Sequence, residues 1–193
     1  MGPDHSAVAA ILNNLALLLK SQGKYSEAEP LYRRSLDILE QQLGPEHPNI
    51  AASLNNLAEL LTSQGKYVEA EPLYRRSLEI DEKTYDHDHP EVATDLNNLA
   101  LTLESQDKSA EAEPLYRRSL KVFEEQLGPE HPYVARSLNN FALFLESQGK
   151  SAEAELLYRR SLLICEKTLG HEHPTTQTVH KNLTLLLEKM RGK

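Results

Sequence analysis

The 193-residue chain reads as all-α: a solenoid of antiparallel helix pairs in a right-handed superhelix, with nine helices and no strand. Three observations lead there. Asn-Asn-Leu-Ala stands at Asn13–Ala16, Asn55–Ala58 and Asn97–Ala100, then returns as Asn139-Asn140-Phe141-Ala142 and Lys181-Asn182-Leu183-Thr184, always 42 residues on. Tyr-Arg-Arg-Ser-Leu recurs at the same interval from Tyr32, Tyr74, Tyr116 and Tyr158. Seven of the eight glycines and all ten prolines occupy a few fixed places in that period, which chance would scatter. A repeat of this kind is one supersecondary unit that buries its apolar face only by stacking on its neighbours.

Each unit supplies two helices. In the first, Ile50, Leu54, Leu57, Ala58 and Leu61 step by three and four residues, the spacing of one helical face. Gly65 then suits a left-handed, helix-ending residue. The second helix carries its own stripe of Ala70, Leu73, Tyr74, Ser77, Leu78 and Asp81. Ala58 and Ala70 mark where the two helices approach closely. Pro72 lies four or five residues into that second helix and removes a first-turn hydrogen bond. The loop Gly44-Pro45-Glu46-His47-Pro48 stops one helix and places proline in the first turn of the next, where a missing N–H costs nothing. Units therefore run 2–43, 44–85, 86–127 and 128–169, and a capping helix within 170–190 completes one domain spanning 1–193. In that last helix, positions held elsewhere by Ala, Leu and Ala become Gln177, His180 and Thr184, as one face in water requires. At the other end, Val8, Leu12 and Leu15 keep a normal interior stripe, so the first repeat lacks a polar cap. Such an end invites self-association, or a place within a larger multidomain protein as a structural spacer.

Composition narrows function. Lys plus Arg number 21 against 29 Asp plus Glu, a formal charge of −8 without any basic run, which disfavours nucleic acid and anionic membrane as partners. No apolar stretch reaches a membrane span, and the first residues lack a secretory signal, so the expected location is cytoplasmic. The single Cys165 excludes an internal disulfide framework and reads as a packed thiol. No phosphate loop, nucleophile elbow or metalloprotease helix occurs, so neither an enzyme nor a cofactor is expected. His87-Asp88-His89 and His171-Glu172-His173 look like metal ligands. However, His5, His47, His89, His131 and His173 recur with the repeat, which makes them residues of the loop and helix start. The arginine pairs beginning at Arg33, Arg75, Arg117 and Arg159 each follow a glutamate by four residues, as on a solvated, self-neutralised face.

The asparagines need another account. On the helical wheel they fall opposite the buried stripe, although mid-helix asparagine has mediocre propensity. Two readings stand: they recognise a ligand's backbone, or they bond between neighbouring repeats. Leu-x-x-Leu-Ala-x-x-Leu, Gln-Gly-Lys-Tyr and Glu-Ala-Glu-Pro-Leu-Tyr resemble the tetratricopeptide repeat. The 42-residue period and the Leu-Gly-Pro-Glu-His-Pro loop are similar to its kinesin light chain subclass. That resemblance implies helices about one turn longer than in 34-residue repeats, and a concave groove that grips an extended peptide of a partner protein. It does not imply kinesin association, which would need a separate coiled coil; no heptad segment precedes Asp4. Under the resemblance, Asn14, Asn56, Asn98, Asn140 and Asn182 form a backbone-reading ladder flanked by Asn13, Asn55, Asn97 and Asn139. Leu17, Leu101 and Leu143 favour an apolar or aromatic ligand, Arg136 attracts a carboxylate, and the mixed charge disfavours chaperone-tail binding. Replacing Asn98 and Asn140 together by alanine is expected to weaken ligand binding while leaving the melting temperature nearly unchanged.

Overall fold

The computed structural model describes residues 5–192, which contain nine helices and no strand. They are α1 (His5–Ser21), α2 (Tyr25–Leu43), α3 (Pro48–Ser63), α4 (Tyr67–Thr84), α5 (Pro90–Glu104), α6 (Ser109–Leu127), α7 (Pro132–Ser147), α8 (Ser151–Leu169) and α9 (Pro174–Arg191). Odd-numbered helices are the first of each repeat, even-numbered ones the second. The chain divides into two compact units, one built of α1–α4 with Ser105–Asp107 and the other of α5–α9. In the first, α1 packs on α2, α2 on α3 and α3 on α4; in the second, each of α5 to α8 packs on the helix that follows.

The loop histidines explain the helix starts. Nδ1 of His47, His131 and His173 accepts the backbone N–H two residues on, at 3.1, 3.2 and 3.2 Å, ahead of α3, α7 and α9. Proline follows directly, so the histidine caps a turn whose first N–H is already absent. Nδ1 of His89 does the same for Glu91 at 3.2 Å. At the turn between paired helices, Gly23, Gly65 and Gly149 take φ near +74°. Asp107 occupies the equivalent place with φ +61°, a conformation aspartate tolerates better than most residues. The recurring proline is deeper than the sequence suggested. Pro30, Pro72 and Pro114 are each the sixth residue of their helix, so the missing bond belongs to the second turn.

Where paired helices cross, small residues let the backbones meet. Ala9 and Ala28, Ala51 and Ala70, Ala93 and Ala112, Ala135 and Ala154 are all essentially inaccessible. The serine of each Tyr-Arg-Arg-Ser-Leu motif closes the crossing. Oγ of Ser35, Ser77, Ser119 and Ser161 donates to the carbonyls of Ala9, Ala51, Ala93 and Ala135 at 2.8, 3.0, 2.6 and 2.7 Å. The buried hydroxyls are thus satisfied by the partner helix. Cys165 packs in the core of α8, and burial pushes its thiol pKa up, opposite to an activated cysteine.

The arginine pairs split into two roles. Arg33, Arg75, Arg117 and Arg159 pair within their helices with Glu29, Glu71, Glu113 and Glu155 at 2.7–2.9 Å. Lys66 and Lys150, one repeat further on, reach the same carboxylates of Glu29 and Glu113 at 2.9 and 3.0 Å. Lys66, with Arg33 beside it, holds the Glu29 carboxyl below the usual carboxylate range. The second arginine departs from the expected solvated face: Arg76 bonds Glu40 of the preceding repeat and the Pro45 carbonyl of its own, and Arg160 likewise bonds Glu124 and the Pro129 carbonyl.

Candidate functional site

The first-type helices carry every residue the sequence singled out. In the first unit α1 presents Asn13, Asn14 and Leu17, and α3 presents Asn55 and Asn56. In the second, α5 presents Asn97, Asn98 and Leu101, α7 presents Arg136, Asn139, Asn140 and Leu143, and α9 presents Asn182. Leu17 and Leu143 are exposed, as is Leu185 at the same place in α9, a position the sequence reading passed over.

The asparagines bond to one another. Nδ2 of Asn140 donates to Oδ1 of Asn97 at 3.3 Å, and Nδ2 of Asn182 donates to Oδ1 of Asn139 at 3.0 Å. The second asparagine of one repeat therefore satisfies the first asparagine of the repeat before. Asn97 is fully buried, so its acceptor depends on that partner. This corrects the expectation that Asn140 is dispensable for stability. The donors Asn140 and Asn182 still keep one N–H and the oxygen for other bonds. Arg136 is exposed and lies over the Tyr133 ring at 4.9 Å, a cation–π contact that leaves the guanidinium edge free.

Below the asparagines in the second unit lies a polar network. Tyr116 Oη donates to Glu104 at 2.7 Å, and Tyr158 Oη to Glu146 at 3.3 Å, while Lys189 pairs with Glu146 at 2.5 Å. Burial raises the Glu104 pKa, with the Tyr116 bond opposing it. Both tyrosines are pushed well above the ordinary phenol range, chiefly by burial. Burial disfavours ionised Glu104, so its contribution to stability is fully present below the ordinary carboxylate pKa and is lost as pH rises through the raised value. Glu104→Gln is accordingly expected to raise the melting temperature at pH 7, with the gain vanishing near pH 4 in a thermal scan. The first unit has Lys20 at this repeat position, paired with Glu59 at 2.7 Å, and Tyr32 Oη is left without a partner.

Among the described residues no three His, Cys, Asp or Glu side chains gather as a metal site, and no helix is long and apolar enough to cross a membrane. The sequence matches the tetratricopeptide repeat family model over residues 7–83, 50–125, 96–162 and 133–193. Two solved structures resemble it at a TM-score of 0.81. BtubC (BKLC) from P. vanneervenii shares 26% identity, covering 95% of this chain and 73% of that one. The nearly identical TPR-like repeats of a kinesin light chain-like protein from Podosopora anserina share 25%, covering 99% and 90%. No curated protein matches the chain.

Proposed function

The chain belongs to the tetratricopeptide repeat family, a scaffold fold typical of protein-interaction modules, and we propose that it binds an extended peptide segment of a partner protein without catalysis. The observation that carries this reading is a set of exposed leucines at one repeat position, Leu17, Leu143 and Leu185, each beside amides with unused hydrogen-bonding capacity. Burying them in the chain's own core is ruled out by their side of the helix, and apolar groups flanked by backbone-reading amides suit a peptide. In the second unit the segment would lie along α5, α7 and α9, with Arg136 meeting a carboxylate. Peptides selected from a library on the wild-type protein test this. Leu143→Ser with Arg136→Ala should weaken them about tenfold or more, with the melting temperature held, since both side chains are exposed. Undiminished binding by that variant would remove α7 from the site.

One observation supports a second activity, self-association. Ile11, Leu15 and Leu18 on α1 are 65%, 43% and 54% exposed. Their repeat equivalents on α3, Ser53, Leu57 and Leu60, are buried. The outward face of α9 instead carries exposed Gln177, His180 and Thr184, a poor match for an apolar edge in head-to-tail stacking. The α1 helix has no acidic residue, so two copies of this edge can meet face to face without repulsion between carboxylates. Sedimentation should show a concentration-dependent dimer that Ile11→Glu with Leu18→Glu abolishes; a wild-type monomer at all concentrations would refute it.

A further inference from the structure

Glu104 and Glu146 hold the same place in consecutive repeats, at the ends of α5 and α7, and the chain equips them differently. Each accepts a tyrosine hydroxyl on Oε2, from Tyr116 at 2.7 Å and from Tyr158 at 3.3 Å. Glu146 also has a cation, since Lys189 of α9 reaches its Oε1 at 2.5 Å. The residue that stands where a lysine would serve Glu104 in the same way is Ser147 of α7. Its hydroxyl turns back to the Phe144 carbonyl at 2.7 Å. Among the described residues no group donates to Glu104 Oε1, which keeps contact with solvent. Glu104 is half-buried, and only the Tyr116 bond opposes the effect of that burial on its pKa; no cation contributes. A carboxylate taken partly out of water is costly to ionise until a positive charge meets it.

We propose that Glu104 is the receptor for a lysine side chain of the partner's extended segment, whose ammonium meets Oε1 as Lys189 meets Glu146. The molecule's own ion pair sets the ligand class. An ammonium is a compact donor that one open oxygen satisfies. The guanidinium fork of arginine is matched by two oxygens, and Tyr116 already holds Oε2. Ser147, short and uncharged, leaves the approach to Oε1 clear. Leu143 lies four residues before Ser147 on the same face of α7 and is exposed, so it offers cover for the aliphatic stem of the incoming lysine. An acidic side chain at this point of the segment is disfavoured by repulsion from Glu104. This inference rests on the peptide-binding reading and adds to it one residue class at one carboxylate.

The test uses the full chain and a random library of N-acetylated heptapeptide amides. Peptides selected by the wild-type protein should carry lysine at one fixed position. Replacing that lysine by Nζ-acetyl-lysine keeps the stem, removes the charge and should weaken a selected peptide about tenfold. Glu104→Gln keeps an oxygen for Tyr116 but loses the charge, and should bind the two peptides equally. Ser147→Lys supplies the cation from within the chain, so its selected peptides should lose the fixed lysine. Selected peptides without a fixed lysine, arginine serving as well in its place, or an acetylation effect undiminished on Glu104→Gln would each overturn the proposal. The acetylated peptide acts on wild-type protein, so the result does not depend on the folding of either variant. Selection of no peptide at all would remove the peptide-binding reading as well. Peptides that are bound, weakened by Leu143→Ser with Arg136→Ala and indifferent to acetylation would sink the lysine receptor alone.

Discussion

Leu57→Ala and Leu99→Ala are each expected to destabilise the chain by about 2–5 kcal/mol in urea unfolding, the range for truncating a fully buried leucine. Both side chains are essentially inaccessible within first-type helices of central repeats. The same repeat position provides its own controls. Leu15 is exposed on α1, so Leu15→Ala should change stability by less than about 1 kcal/mol. Leu183→Ala on α9 should fall between, because that helix packs against α8 and α7 with no second-type helix after it among the described residues. Equal losses at all four positions would contradict a core assembled by stacking.

Asn140→Ala should cost about 1–3 kcal/mol, because it strands the buried Oδ1 of Asn97. Asn97→Ala should also destabilise, but the double replacement by less than the sum, since it removes donor and acceptor together. The coupling from a double-mutant cycle measures the bond. Strict additivity would show that the two amides do not interact. Because stability moves, a weakened ligand affinity in an Asn140 variant would not by itself identify a contact residue, and the exposed Leu143 and Arg136 make the cleaner test of binding.

The repeat made the fold readable. A 42-residue register marked out the helices and turns; Asp107, where other repeats have glycine, takes the same positive φ. Periodicity put the asparagines opposite the buried stripe, yet Asn97 is fully buried in the structure. What it could not give was which amides meet: Asn140 reaches Asn97, whereas Asn56, at the same place on α3, does not satisfy Asn13 Oδ1. The serine of Tyr-Arg-Arg-Ser-Leu was hidden for a similar reason: on a wheel it sits in an apolar stripe, and only the crossing reveals the Ala9 carbonyl opposite Ser35. A cleft of about 310 Å³ between α1 and α3, lined by Ala10, Leu39, Asn49 and Ala52 among others, is a product of side-chain volume. Its signal was present as Ala10, Asn49 and Ala52 facing Thr94, Tyr133 and Arg136 in alignment, yet volume acquires meaning only once the helices that share the space are known.

The recurrent serine-to-alanine bond makes the helix pairs interchangeable parts. With the hydroxyl and its carbonyl at the same two places in every pair, each hairpin sets its own crossing without reference to its position in the chain. A chimera in which residues 128–169 replace 44–85 keeps all such clamps. It also carries Tyr133 and Arg136 into the places of Asn49 and Ala52, so recombination of whole hairpins changes surface side chains without rebuilding a core.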